Sequence, residues 1–154
     1  MTGRRIAVVG GGVSGITAGY VLARTEDRVQ VRIQDYRDPL DGPYDAIASV
    51  EMGEHVGAAR YQAFCAALYG RLRPGGRLLI QQMSRTTRRG GGPFIESYIA
   101  PDMDMRPVGE TIRLIQDAGF EVKVRSLRIG NVILQSPGAG SQRRQGTAVT
   151  IWGL

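Results

Sequence analysis

Val-Arg-Ile-Gln-Asp-Tyr-Arg-Asp (31–38) and Ser-Val-Glu-Met-Gly-Glu-His-Val-Gly (49–57) decide how this chain folds. Each is an apolar, strand-like run that ends abruptly in acidic and polar residues. In an open α/β sheet the crevice outside the carboxyl ends of the strands is where ligands sit, so acids placed there point to binding or chemistry. The first run belongs to Val29–Asp35, which alternates with period two: Val29, Val31 and Ile33 on one side, Gln30, Arg32 and Gln34 on the other. That alternation predicts a strand. Asp45–Val50 predicts a second, buried strand ending at Glu51, with Pro39, Asp41, Gly42 and Pro43 forming the loop between the two.

Upstream, Arg5–Val9 is a short β-branched run that stops at Gly10, followed by Gly-Gly-Gly-Val-Ser-Gly (10–15) and the helix-like Ile16–Arg24. This is G-x-G-x-x-G between strand and helix. Gly10 permits a tight turn, Gly12 lets backbone approach a phosphate, and Gly15 lets helix pack close on strand. The helix N-terminus would turn free N–H groups toward an anion. Asp35 falls 20 residues after Gly15, where a dinucleotide fold puts the acid that grips a ribose hydroxyl. The plainer readings are a glycine turn that binds nothing and an Asp that caps a turn. A right-handed crossover through one helix would make Val29–Asp35 the parallel neighbour of Ile6–Val9.

Downstream, Gly57–Leu72 carries apolar residues at 61, 64, 65, 68 and 72, a helical stripe on which Cys65 reads as core. Pro74-Gly75-Gly76 should stop that helix, and Arg77–Met83 should be the next strand, ending beside Ser84. Arg85, Arg88 and Arg89 with three glycines make a cationic loop suited to lipid phosphates or simply to solvent. Phe94–Ile99 should pack before Pro101. Pro107–Ala118 predicts a helix stopped by Gly119, and Phe120–Leu127 a further strand. Beyond residue 128, Asn131–Gln135 and Thr147–Trp152 could be strands joined by a linker of disordered composition. The expected architecture is α/β, a Rossmann-like, mostly parallel sheet with flanking helices, in one domain over 1–128 with a tail over 129–154.

Composition sets outer bounds. The 154 residues suit one domain; 42% hydrophobic and 22% charged is ordinary for a globular protein. Net charge is +6, which favours anionic partners without choosing among phospholipid, nucleotide and nucleic acid. No apolar run approaches the roughly 18 residues of a membrane-spanning helix. One cysteine precludes an internal disulfide and fits a reducing cytoplasm, and a single histidine, His55, argues against a zinc site.

Two resemblances follow from these motifs. The first 25 residues or so resemble the FAD-binding fingerprint of flavin amine oxidases. Asp-Tyr-Arg-Asp (35–38), Tyr-Asp-Ala-Ile-Ala-Ser-Val-Glu-Met-Gly-Glu-His-Val-Gly (44–57), the helix leading to Leu-Arg-Pro-Gly-Gly-Arg-Leu-Leu-Ile-Gln-Gln-Met-Ser (72–84) and Phe-Ile-Glu-Ser-Tyr-Ile-Ala-Pro-Asp (94–102) resemble the cyclopropane-fatty-acyl-phospholipid synthase family, from about Val29 to Arg128. That resemblance implies a truncated class I methyltransferase core dependent on S-adenosylmethionine (SAM), modifying double bonds of unsaturated phospholipid acyl chains. It implies that Asp35 and Tyr36 hold the adenosine end of SAM, that Glu54 positions a bicarbonate ion acting as base, and that Glu51 has a secondary binding role. Gln81 stands where many members have a histidine, which makes a methylated or methylene product conceivable beside a cyclopropane. No counterpart of the family's acid-bearing glycine strand, bicarbonate-contacting cysteine or late tyrosine is present, which implies weak or absent activity; Gly10–Gly15 takes the strand's place. The expected sites are therefore Glu54 and Gln81 for catalysis and Gly10, Gly12, Gly15, Asp35, Tyr36 and Glu51 for cofactor. No metal and no nucleic-acid partner are expected, and the expected location is the cytoplasm, either free or peripheral at the inner membrane face. The alternatives are a module binding FAD or NAD through the glycine turn and Asp35 without methyltransferase activity, and a membrane-surface accessory acting through Arg85, Arg88 and Arg89.

Overall fold

Three parallel strands rich in Val, Ile, Ala and Leu form the sheet on which the core is built, the composition usual for parallel strands. The computed structural model describes residues 5–10, 12–25, 32, 34–38, 42–126 and 131–135. Strand β1 (Ile6–Val9) leads through the glycine turn into helix α1 (Val13–Thr25). Strand β2 (Tyr44–Val50) is followed by two 3₁₀ turns, Gly53–His55 and Ala58–Arg60, and then helix α2 (Tyr61–Gly70). Strand β3 (Leu72–Gln81), a π-type turn at Ile95–Ile99, helix α3 (Val108–Asp117) and strands β4 (Glu121–Ser126) and β5 (Asn131–Gln135) complete the order.

The sheet order is β1-β2-β3, with Val8 opposite Ala48 and Ser49 opposite Ile80. At its amino edge Asp45 accepts the Arg5 N–H at 2.6 Å and a bond from the Arg73 guanidinium at 2.9 Å, tying the starts of all three strands. Tyr61, Phe64, Cys65 and Leu68 form the buried stripe of α2 and pack on Ile47, Leu78 and Ile80 of the sheet. Ile115 of α3 and Phe120 close the same core, and Tyr69 meets Phe120 edge-on at 5.0 Å. Gly119, at φ 103°, ends α3 where a side chain would strike the Tyr69 ring.

The structure corrects three readings. The chain leaves α2 at Gly70, and β3 runs through Pro74-Gly75-Gly76 instead of starting after it. The Tyr44 N–H donates to the Arg71 carbonyl at 2.8 Å, which draws the chain into the sheet early, and the register then shifts so that Ala46 faces Arg77. Pro74 and Gly75 (φ 75°) form the irregular part of the strand. At its far end β3 stops at Gln81, short of Met83. Phe94–Ile99 does not pack inward: Phe94, Tyr98 and Ile99 are exposed, Tyr98 by 80%. A single π-type turn cannot direct all its apolar side chains to one side, and burial resumes at Ala100, just beyond it.

Of the strand read over Val29–Asp35, Arg32, Gln34 and Asp35 are irregular, and Val29–Val31 and Ile33 lie outside the described residues, as does its pairing with β1. Asn131–Gln135 is a strand, antiparallel to β4. Thr147–Trp152 and the linker before it lie outside the described residues. No helix among the described residues is long and apolar enough to cross a membrane.

Candidate active site

The glycine turn is built against the end of β2. Gly10 lies so close that a Cβ there would fall 2.1 Å from the Val50 carbonyl oxygen, and a Cβ on Gly15 would fall 2.0 Å from the Gly10 oxygen. Gly15 lets α1 begin directly over β1, as the spacing requires. Gly12 is exposed, and a Cβ there would sit 3.6 Å from a Glu51 carboxylate oxygen, so its backbone faces that acid. Glu51 itself has φ 49°, a left-handed conformation that lets the chain leave β2 sharply. Its N–H donates to the Gln81 carbonyl at 2.7 Å, and the Gln81 Nε2 reaches its Oε1 at 3.5 Å. Gly10, Gly12, Gly15, Glu51 and Gln81 thus meet at one carboxyl edge.

Glu54 follows on the Gly53–His55 turn and is fully buried. Its Oε1 accepts the Met83 N–H, just past β3, at 3.2 Å; its Oε2 is buried without a hydrogen-bond partner. Desolvation pushes the carboxyl pKa above the ordinary glutamate value, against the lowering effect of the backbone bonds. Glu54 caps no helix, the plainer reading for a strand-end acid.

Asp35 and Tyr36 sit on a separate turn. Asp35 Oδ1 accepts both the Arg37 N–H and its Nε at 2.8 Å, and the Arg37 guanidinium holds the carboxyl down to a pKa of about 2. Tyr36 packs edge-on against Phe64 of α2 at 5.2 Å. The described contacts of this pair therefore run to Arg37 and α2.

Residues not assigned to the site from the sequence complete it. Arg106 is fully buried, with Nη1 donating to the Gly53 carbonyl at 3.3 Å and Nη2 to Asp104 at 2.6 Å. Its guanidinium carbon lies 4.1 Å from the centre of the Tyr61 ring. Tyr61 donates its hydroxyl to Gln82 Oε1 at 2.6 Å. His55 pairs with Asp102 at 2.9 Å, and the Asp104 N–H donates to the Glu54 carbonyl at 2.7 Å. Met-Asp-Met-Arg (103–106) is a loop, where burial leaves no pattern in sequence. The cationic loop forms a cavity of about 290 Å³ lined by its own residues 85–90 and 92, with none of the expected site residues in it. Among the described residues no cluster of His, Cys, Asp and Glu could hold a metal ion.

Residues 20–131 match the family described as "Mycolic acid cyclopropane synthetase". The chain belongs to that family. It is 38% identical over 111 residues to a probable fatty acid methyltransferase of Pseudomonas putida, an alignment that covers 67% of this chain and 28% of the relative. Over 75 residues it is 39% identical to the cyclopropane-fatty-acyl-phospholipid synthase of Escherichia coli K12, covering 48% of this chain and 19% of that one. The chain thus spans less than a third of the length of either relative. Its fold is similar, at TM-score 0.57 and 18% identity, to mycolic acid cyclopropane synthase CmaA1 solved with SAH and CTAB, over 79% of this chain and 57% of that one. The Rossmann-like sheet with flanking helices is that of a class I methyltransferase. The family match covers Asp35, Glu51, Glu54 and Gln81 and begins after Gly10–Gly15.

Proposed function

We propose that this chain carries a SAM-dependent methyltransferase site of the cyclopropane-synthase type, acting on the double bond of unsaturated phospholipid acyl chains. The observation that carries the reading is Glu54, a buried carboxylate with one bare oxygen, one turn beyond the edge where Gly12, Glu51 and Gln81 meet. The two relatives, a probable fatty acid methyltransferase and a cyclopropane-fatty-acyl-phospholipid synthase, support the substrate class. CmaA1, a protein of similar fold solved with SAH, supports SAM as the cofactor.

The residues fit both small molecules. Gly12 leaves room for a ligand beside Glu51, whose carboxylate can accept bonds from an amine or hydroxyl. The bare Glu54 Oε2 can accept a bond from the hydroxyl of bicarbonate. When bound, SAM supplies an electrophilic methyl group on sulfonium, and bicarbonate supplies a proton acceptor. Methyl transfer to the alkene would leave S-adenosylhomocysteine as the leaving group and a carbocation on the acyl chain, which would have to shed a proton in a site closed to water. Glu54 orients the acceptor of that proton. Gln81, standing where many family members have a histidine, leaves a methylene product open beside a cyclopropane, since each forms by loss of one proton from the same cation. Asp35 and Tyr36 hold the adenosine end, and the exposed face at Phe94, Tyr98 and Ile99 meets the anionic inner membrane surface.

Calorimetry with SAM, SAH, FAD and NAD side by side, and label transfer from methyl-labelled SAM to unsaturated phospholipid, test the reading. SAM and SAH should bind; tight binding of FAD alone would overturn it. Glu54→Gln should retain SAM affinity and lower turnover by roughly two to four powers of ten, the usual worth of a positioned acid–base group. Asp35→Asn should weaken SAM binding with a smaller effect on the chemical step.

A further inference from the structure

We propose that Arg106 is the positioning residue for Glu54, holding the Gly53–His55 turn so that the bare carboxylate oxygen keeps one direction. Its catalytic consequence rests on the function proposed above; its geometric part does not.

A fully buried guanidinium is a costly choice, since apolar residues of similar volume commonly fill such a place at no loss of stability. Arg106 also leaves its Nε buried without a partner. Its other contacts show what that choice secures. It grips the Gly53 carbonyl and Asp104, while the Asp104 N–H holds the Glu54 carbonyl at 2.7 Å. Two successive carbonyls of the turn are therefore fixed from one short segment, residues 104–106. On the other side Gly53 is walled by Gln82, whose Oε1 would lie 1.8 Å from a Cβ at that position. Gln82 is held by the Tyr61 hydroxyl, and the Tyr61 ring lies under the Arg106 guanidinium. The contacts close a ring: Arg106, Tyr61, Gln82, Gly53 and back to Arg106. That ring sets the turn against the end of β3, where Glu54 takes the Met83 N–H. A reacting group must be held to within a fraction of an ångström by partners of this kind, and a planar fork stacked on an aromatic ring does so where a lysine cannot.

The test is Arg106→Lys in the full chain, with Asp104→Asn as a second variant that keeps the buried cation should the first fail to fold. Amide hydrogen exchange reads the geometry, and label transfer at saturating SAM reads the chemistry. Exchange at the Met83 amide should speed up by about tenfold or more while the core amides of Ile47, Leu78 and Ile80 stay as in the parent. Turnover should fall by about tenfold to a hundredfold with KM for SAM unchanged, the effect of a misplaced group and not of lost binding. Unchanged exchange at Met83 overturns the proposal. Equal loosening of the core amides also overturns it, because Arg106 would then brace the whole domain. Faster exchange at Met83 with unchanged turnover removes the catalytic role. A parent chain without turnover refutes the proposed function alone, and the exchange result then decides whether Arg106 holds Glu54.

Discussion

At the scale of single residues, Glu54 and Asp35 show how two carboxylates of one chain come to opposite protonation behaviour. Glu54 is buried with one oxygen bare, so its charged form is disfavoured and its pKa rises. Asp35 is exposed and held by Arg37, so its charged form is favoured and its pKa falls to about 2. For Glu54 the folded chain keeps its proton to a higher pH than the unfolded chain does. Stability must therefore fall as pH rises from the ordinary glutamate value toward the folded one, because the unfolded state loses its proton first. Glu54→Gln removes that titration. The variant should match the parent in urea unfolding near pH 4 and equal or exceed its stability near pH 7. A variant less stable than the parent at neutral pH, with no change in the gap between the two pH values, would show that the bond from the Met83 N–H outweighs desolvation. The same bare oxygen that weakens the fold is the one the proposed function assigns to bicarbonate, so under that proposal stability and chemistry are set against each other at a single atom.

At the scale of elements, the glycine turn separates space from propensity. Gly10→Ala would place a Cβ 2.1 Å from the Val50 oxygen at φ 141°, and Gly15→Ala would place one 2.0 Å from the Gly10 oxygen. Each should cost more than about 2 kcal/mol in chemical denaturation, from backbone strain and displacement of β2. Gly19→Ala, inside α1 with nothing within 4 Å, should instead stabilise by about 0.5–1 kcal/mol. Equal effects at the three positions would mean the turn is not fitted to β2. These elements were legible in sequence because their periodicity is local: β-branched residues before Gly10, the stripe from Tyr61 to Leu68, the alternation after Gly119. Glu51 was legible because a strand ends where that acid begins, whereas Glu54 and Gln81 were singled out by the family resemblance. Where the chain leaves α2 was not legible, because the bond from Tyr44 to Arg71 is made by a residue far away in sequence. Arg106 was hidden for the same reason. A loop arginine is ordinarily solvated, and only the fold places Gly53 and Tyr61 around it.

At the scale of the whole molecule, the net charge of +6 overstates what the cationic loop presents. Arg85 is turned into its own loop, donating to the Gly90 and Gly91 carbonyls, and Arg89 is paired with Glu110 and Asp104. Arg88 is exposed and has no partner among the described residues. Close behind in sequence stand three exposed apolar side chains, Phe94, Tyr98 and Ile99, with the first two rings 5.6 Å apart. Contact with a membrane surface should then depend more on apolar burial than on charge. Burying an aromatic side chain is worth roughly 1.5–3 kcal/mol, and one basic residue near an anionic surface about 1 kcal/mol. Phe94→Ser combined with Tyr98→Ser should weaken cosedimentation with unsaturated anionic vesicles by about tenfold or more. Arg88→Gln should weaken it by only about fivefold, and have no effect on vesicles of neutral lipid. All three positions are exposed, so the variants should unfold at the parent's urea midpoint, which separates lost contact from lost fold. Binding that survives the double substitution but collapses in high salt would assign the contact to charge spread over the chain, and binding that neither change affects would remove this face from any membrane role.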